Sequence, residues 1–300
     1  MMRVVRPRVH VTAPVLDEVT AALADAFELV DAPEGADGVL SLLTTEVDAA
    51  FLDRVGPQLR VVANYAVGVN NVDLAAAAER GVVVANTPDV LTRATAELAL
   101  GLMLALLRRI AEGDRFVRRG EEWEFSLEFM LDSSLEGKTM LIVGPGRIGR
   151  ETARLAEAFG ARPRFASRTD DLRALLAEAD VVSVHVPLTP ATRHLIGAEE
   201  LRAMRSTAVL VNTARGPIVD EAALVDALRS GELAGAALDV FEREPEVEEG
   251  LLSLENVVLT PHLGSATRDT RVAMGMLCVE ALRAVLLEGR RPANAVDLDG

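Results

Sequence analysis

An apolar run, Lys138-Thr139-Met140-Leu141-Ile142-Val143, stops abruptly at Gly144-Pro145-Gly146-Arg147-Ile148-Gly149 and resumes as a helical pattern through Phe159. A strand that turns into a helix across three glycines has few solutions. Gly144 permits the tight turn, Gly146 lets the backbone approach a pyrophosphate, and Gly149 lets helix and strand lie close together. Pro145, Arg147 and Ile148 complete the loop, and the helix start offers free N–H groups and a favourable dipole to an anion. The stretch predicts a dinucleotide-binding βαβ unit. Gly137-Lys138-Thr139 imitates the end of a phosphate loop, but the earlier glycine that such a loop requires is missing.

The same alternation extends in both directions. Over the first ninety residues it predicts strands at Val9–Thr12, Gly38–Leu43, Leu59–Asn64 and Val82–Ala85. Helices are expected between them at Val15–Ala26, Val47–Val55 and Asn71–Gly81. A long helix is predicted from Thr92, capped by Thr92 or Thr95, to about Gly120, followed by an irregular stretch, Glu121–Gly137. A second series has strands at Thr139–Val143, Arg164–Ser167, Val181–His185, Ala208–Asn212, Gly235–Val240 and Val257–Thr260, and a last helix at Thr267–Glu288. Strands alternating with helices in short units imply parallel sheets covered on both faces. The expected fold class is therefore α/β, with two doubly wound parallel-sheet domains, as a length of 300 residues also suggests.

Composition removes several functions. Half the residues are hydrophobic and 26% are charged, which excludes a disordered chain. A net charge of −15 disfavours nucleic acid and anionic membranes as partners, since both reward excess Lys and Arg. Trp123 and Tyr65 are the sole residues of their kinds, so base-stacking platforms are not expected. Cys278 stands alone in an apolar helical stretch and reads as core, with no disulfide and no metal site. Lys138 is the only lysine and begins a strand, which leaves a Schiff-base enzyme almost no candidate. The start of the chain lacks a signal-peptide pattern, and the longest apolar run, Leu98–Leu107, is about half a bilayer span. A cytoplasmic protein is expected.

An acid usually ends the second strand of an NAD site and binds the ribose hydroxyls. Here that end reads Ser167-Arg168-Thr169, with no acid before Asp170. An arginine between two hydroxyls suits a 2′-phosphate, so NADP(H) is favoured, with NAD(H) the other option. Three further strand ends carry polar residues: Asn212–Gly216, Asp239–Pro245 and Thr260–Ser265. Of the four histidines, His10, His185 and His194 read as structural, whereas His262 lies between Pro261 and Leu263-Gly264 at the exit of an apolar strand.

The chain at this point resembles the D-isomer-specific 2-hydroxyacid dehydrogenases, and most of all their glyoxylate/hydroxypyruvate reductases. The resemblance spans nearly the whole chain, through Asn64–Asp73, Ala85–Thr92, Ala94–Leu100, the glycine loop, Val211–Asp220, Leu238–Pro245 and Leu259–Thr267. It implies catalytic roles for Arg215, Glu244 and His262. Arg215 would hold and polarise a 2-oxoacid, His262 would exchange a proton with the alkoxide as hydride is transferred, and Glu244 would orient the ring and favour its charged form. The N–H groups of Val67, Gly68 and Val69 would receive the substrate carboxylate, together with Arg215 and His262. Asp239 would meet the nicotinamide carboxamide. Thr95, His185, Pro187, Thr213, Ala214, Arg215, His262 and Gly264 complete the implied cofactor set, and no metal is implied. Without the family motif, Glu242, Glu244, Glu246, Glu248 and Glu249 would read as a solvated acidic loop.

The resemblance further implies a flavodoxin-like substrate domain at residues 1–93, completed by 266–300. A Rossmann domain at 94–265 would be inserted into it, with the chemistry in a cleft that closes over substrate. The helix after Thr95 and the Trp123 segment resemble a dimer arm, so a homodimer is expected. Only Asp170–Ala179 separates the ribose-binding turn from the next strand, as though a small element had been deleted. Rival readings are a 3-phosphoglycerate dehydrogenase, for which Arg93 is a candidate cation, a D-lactate-type enzyme, and an NAD(H)-sensing corepressor-like binding protein. Formate-oxidising relatives usually lack a glutamate at the position of Glu244.

Overall fold

The structure, a computed structural model, describes residues 6–297. The chain divides into two compact units: the described parts of Met1–Leu91 and Thr267–Gly300 form one, and Thr92–Ala266 forms the other.

In the first unit, β1 (Arg8–Val11), α1 (Asp17–Ala26), β2 (Glu28–Val30), β3 (Gly38–Ser41), α2 (Ala49–Val55), β4 (Val61–Asn64), α3 (Leu74–Glu79) and β5 (Val83–Ala85) follow in order. All pairings are parallel, in the order β2-β1-β3-β4-β5. Every residue of β3 and β4 is buried, so these strands read as unbroken apolar runs. The C-terminal helix, Arg268–Leu286, covers one face and places Cys278, Leu282 and Val285 among Val9, Leu23, Leu40 and Val61. Cys278 is a core residue, its thiol pushed far up by burial. Asp48 and Asp73 cap α2 and α3 by accepting the N–H of Phe51 (2.7 Å) and Ala76 (2.9 Å). The strand Glu28–Val30 escapes sequence reading because it has only three residues and none is buried.

The second unit opens with α4 (Thr92–Leu107) and α5 (Ile110–Arg118). One continuous helix to about Gly120 was expected, and the structure corrects this. Arg109 adopts a left-handed backbone (φ 49°), and its guanidinium grips Glu112 at 2.8 and 2.6 Å. Thr95 does not cap α4; it lies inside the helix, where its hydroxyl donates to the Gly264 carbonyl at 3.0 Å. Past the break, Ile110, Val117, Trp123, Phe125, Leu127 and Leu131 are exposed, and Trp123 stacks on Phe129 at 5.7 Å.

A six-stranded parallel sheet follows. Its elements are β6 (Thr139–Val143), α6 (Arg147–Glu157), β7 (Arg162–Ala166), α7 (Leu172–Leu176), β8 (Val181–Val184), α8 (Ala198–Ala203), β9 (Val209–Asn212), α9 (Glu221–Ser230), β10 (Gly235–Leu238), α10 (Glu249–Leu252) and β11 (Val257–Leu259). The order is β11-β10-β9-β8-β6-β7, so the direction of winding reverses between β6 and β8, where such sheets hold their ligands. The shortened connection after Asp170 holds only α7, which leaves β7 at the sheet edge. Pro163 in β7 has no N–H to offer a further strand, and Arg162 and Arg164 are exposed there. Among the described residues no helix is long and apolar enough to cross a membrane.

Candidate active site

Nearly all the expected cofactor residues lie at the carboxyl ends of the second sheet. After β6, Gly144 takes φ 104° and donates its N–H to the Ala166 carbonyl at 3.1 Å. A Cβ on Gly144 would stand 2.8 Å from the carbonyl carbon of His185. On Gly149 it would stand 2.4 Å from the Gly144 oxygen, so α6 approaches β6 too closely for any side chain. A Cβ on Gly146 would meet nothing within 4 Å, and that glycine is exposed at the N-cap of α6. The loop thus combines a closed inner side with an open outer one, as a pyrophosphate at a helix N-terminus requires. At the end of β9, Thr213 Oγ1 is buried without a hydrogen-bond partner among the described residues, which suits a group that a dinucleotide would supply. The residues present fit the cofactor.

At the end of β7, Ser167, Arg168 and Thr169 are all exposed. Sequence reading found no acid at this end, yet the side chain of Asp170 folds back to it. Its Oδ2 accepts from the Ser167 N–H at 2.7 Å and from the Ser167 hydroxyl at 2.6 Å. These bonds hold its carboxyl below the usual range. The Ser-x-x-Asp spacing was the available signal, since such pairs close turns locally. Beside the loop, His185 Nε2 lies 2.8 Å from Ser183 Oγ, and burial pushes the ring down to about 4, so it is neutral at pH 7. Pro187 follows in an exposed position, its carbonyl accepting from Thr192 Oγ1 at 2.6 Å.

Arg215, Glu244 and His262 come together from three strand ends. Buried Asn212 closes the first turn: its Oδ1 accepts from the Ala214 N–H (3.0 Å) and its Nδ2 donates to the Arg215 carbonyl (2.9 Å). Arg215 Nη1 donates to the Ala214 carbonyl at 2.7 Å. Burial lowers the guanidinium's pKa, and the nearby Glu244 carboxylate opposes that shift. Gly216 then passes so close to the next turn that a Cβ would lie 1.9 Å from the Phe241 carbonyl carbon. Only glycine allows the Arg215 turn and the Glu244 turn to touch in this way.

Glu244 is held at both oxygens. Oε1 accepts from the Phe241 N–H at 3.0 Å, and Oε2 lies 2.8 Å from His262 Nδ1. Burial alone would raise the Glu244 carboxyl, but the His262 bond and charge carry it below the ordinary value. An ionised Glu244 makes Nδ1 the donor, which leaves Nε2 as the ring nitrogen able to exchange a proton. His262 itself has a left-handed backbone (φ 55°), and its N–H donates to the Asp239 carbonyl at 2.8 Å. Asp239 is fully buried and organises this turn. Oδ1 accepts from Thr260 Oγ1 (2.6 Å) and the Leu263 N–H (2.7 Å), and Oδ2 from the Gly264 N–H (2.8 Å). Among the described residues Oδ2 accepts from that one N–H.

Val67, Gly68 and Val69 follow β4 in the first unit. Asn86 Nδ2 donates to the Val67 carbonyl and Asn64 Nδ2 to the Gly68 carbonyl, both at 2.8 Å. Asn64 is fully buried and exchanges amide bonds with Asn71, at 3.3 and 3.1 Å. Sequence reasoning assigned no role to Asn64, Asn71 or Asn212, although buried amides at strand ends are the usual means of fixing a loop. Among the described residues no group of three His, Cys, Asp or Glu could hold a metal ion.

Replacing His262 with Ala removes the bond and the charge that do most to hold the Glu244 carboxyl down, and leaves only the Phe241 N–H and the Arg215 charge to oppose burial. The Glu244 pKa is therefore expected to rise above its present value, as followed by carbon-13 NMR of the carboxyl during a pH titration. An unchanged or lower value would contradict the pairing.

The family model for the D-isomer specific 2-hydroxyacid dehydrogenase, NAD binding domain, matches residues 100–264. A glyoxylate reductase of Thermococcus litoralis is 46% identical over 88% of this chain and 84% of its own length. One from Aeropyrum pernix is 44% identical over 97% and 96%. The crystal structure of an NADPH-dependent glyoxylate/hydroxypyruvate reductase from Sinorhizobium meliloti, in complex with NADP and malonate, superposes with a TM-score of 0.86 at 36% identity, covering 98% of this chain and 97% of that one. With a glycine loop shaped for a dinucleotide and a carboxylate–imidazole pair at neighbouring strand ends, this chain belongs to the D-isomer-specific 2-hydroxyacid dehydrogenases.

Proposed function

We propose that the protein reduces small 2-oxoacids, with glyoxylate and hydroxypyruvate as substrates, and that NADP(H) is favoured over NAD(H). The observation that carries this reading is the 2.8 Å contact between Glu244 and His262 beside Arg215, on the sheet that also bears the glycine loop. Substrates of this kind present a carboxylate next to a ketone. Arg215 holds the oxygens and polarises the carbonyl. A reduced nicotinamide held by the glycine loop would supply the hydride that the carbonyl carbon accepts. His262 gives the Nε2 proton to the developing alkoxide, and Glu244 keeps the ring oriented. In the reverse direction neutral His262 takes that proton. The N–H groups of Val67, Gly68 and Val69 serve the substrate carboxylate.

Cofactor contacts are assigned to Gly144–Gly149, Ser167–Thr169, Thr95, His185, Pro187, Thr213, Ala214, Asp239 and Gly264. Residues 94–265 are the dinucleotide domain, and 1–93 with 266–300 are the substrate domain. Arg168 grips the 2′-phosphate, while Asp170, an anion at the same turn, tempers the preference and leaves NAD(H) acceptable. Arg93 is already engaged by Glu97 and by Glu151 (2.8 Å), which favours a substrate without a phosphate. The enzyme is cytoplasmic and a homodimer, assembled through the exposed apolar segment that contains Trp123, Phe125 and Leu127.

NADPH oxidation followed with a panel of 2-oxoacids tests the activity, and no turnover with any of them would overturn it. His262→Ala is expected to lose about 10²–10⁴-fold in kcat while keeping its affinity for NADPH. Arg168→Ala should raise the KM for NADPH about ten-fold or more, through the lost charge-assisted bonds, and that for NADH far less. Equal effects would remove Arg168 from the cofactor assignment. Light scattering should report twice the chain mass, and a single-chain mass at micromolar concentration would end the dimer assignment.

A further inference from the structure

One buried carboxylate takes no part in the proposed chemistry. Glu221, the first residue of α9, is 4% exposed. A carboxylate costs free energy to bury, so simple space filling would be better served by Leu or Met. What Glu221 does instead is accept, through Oε1, the backbone N–H of Glu242 at 2.7 Å. Glu242 answers in kind: its Oε1 accepts the Glu221 N–H at 3.0 Å, and its Oε2 lies 3.1 Å from His194 Nε2. Glu242, which sequence alone would leave in a solvated acidic loop, is thereby locked against the start of α9.

The locked peptide is the one next to the acid–base pair. The Phe241 N–H is taken by Glu244 Oε1 at 3.0 Å, and Glu244 Oε2 holds His262. Two consecutive N–H groups, of Phe241 and Glu242, are therefore claimed by two different carboxylates. The same peptide is flanked by Gly216, whose Cβ would stand 2.4 Å from the Glu242 nitrogen, so it cannot shift toward the Arg215 turn.

We infer that Glu221 is a positioning residue for the proposed reduction: by holding the Glu242 N–H it fixes the Phe241–Glu242 peptide, and through it Glu244 and the His262 ring. The inference rests on the reading of Glu244 and His262 as the acid–base pair. The bond needs an acceptor rather than a charge. Burial, with the carboxylates of Glu242 and Glu248 nearby, pushes the Glu221 carboxyl up, and a protonated carboxyl or a Gln amide still presents a carbonyl oxygen. Gln should therefore replace Glu221, whereas Met, of similar size, should not.

The test compares Glu221→Met, Glu221→Gln, Glu244→Gln and the Glu221→Met/Glu244→Gln double variant of the full chain, assayed with glyoxylate and NADPH. Glu221→Met is expected to lower kcat about ten-fold or more by misplacing the pair. The NADPH dissociation constant, read by fluorescence, and the KM for glyoxylate should stay within about two-fold. Glu221→Gln should keep at least about half of the parent kcat, and adding Glu221→Met to Glu244→Gln should cost much less than in the parent. A parent-like kcat for Glu221→Met, a Gln variant as impaired as Met, or equal losses in both backgrounds would each overturn the inference. If Glu221→Met binds no NADPH, Glu221→Asp carries the test. It withdraws the acceptor by one methylene, so kcat should fall, and a parent-like kcat overturns the inference. Parent-like kcat in Glu244→Gln would instead overturn the acid–base reading itself.

Discussion

A parallel strand buried on both faces can place polar groups at its ends and almost nowhere else. Strands β3, β4, β8, β9 and β10 are buried along their whole length. Of the buried polar residues here, Ser41, Asn64 and Asn212 are the final residue of a strand and Asp239 directly follows one, while Ser183, inside β8, is matched by His185. The apolar requirement of the sheet therefore concentrates chemistry at the carboxyl edge, where the chain leaves the core and loops are free to vary.

Loops so placed need to be fixed, and this protein fixes them with buried side chains that accept or donate to the backbone. Asn212 closes the Arg215 turn, Asp239 gathers Thr260, Leu263 and Gly264 beneath His262, and Glu221 and Glu242 clasp the peptide before Glu244. Asn64 and Asn71 do the same for the turn after β4. Each is an acceptor or donor that would be costly if left unmatched, so each turn gains one strongly preferred conformation. Glycine provides the complementary means. Gly149 and Gly216 let backbone approach backbone where any Cβ would collide.

The acidic composition looks different once these contacts are placed. A net charge of −15 belongs to the chain as a whole, yet Glu221 and Asp239 are buried and, like the partly exposed Glu242 and Glu244, accept from N–H groups or meet histidines. In the proposed function the anionic ligands meet the glycine loop, Arg168, Arg215 and the N–H groups of Val67, Gly68 and Val69, each of which offers N–H groups or a guanidinium.

Much of this was legible in the residue string because it depends on local pattern. The period of the apolar residues predicts alternating strands and helices, and β6 falls on its predicted limits, Thr139–Val143. The glycine spacing predicts a turn from strand to helix, and the structure has one. Other features were decided only in three dimensions. A helical period running past Leu107 cannot reveal that Arg109 turns left-handed to grip Glu112. An acidic run of five glutamates cannot reveal which member meets His262, which meets α9 and which faces solvent. Those partners lie 18 to 21 residues away or more, and nothing in local propensity encodes such a distance. By itself the sequence determined where strands end and which residue types stand at those ends. Tertiary structure alone decided which of them touch, because hydrogen bonds between loops depend on sheet order, and sheet order is set by packing across the whole unit.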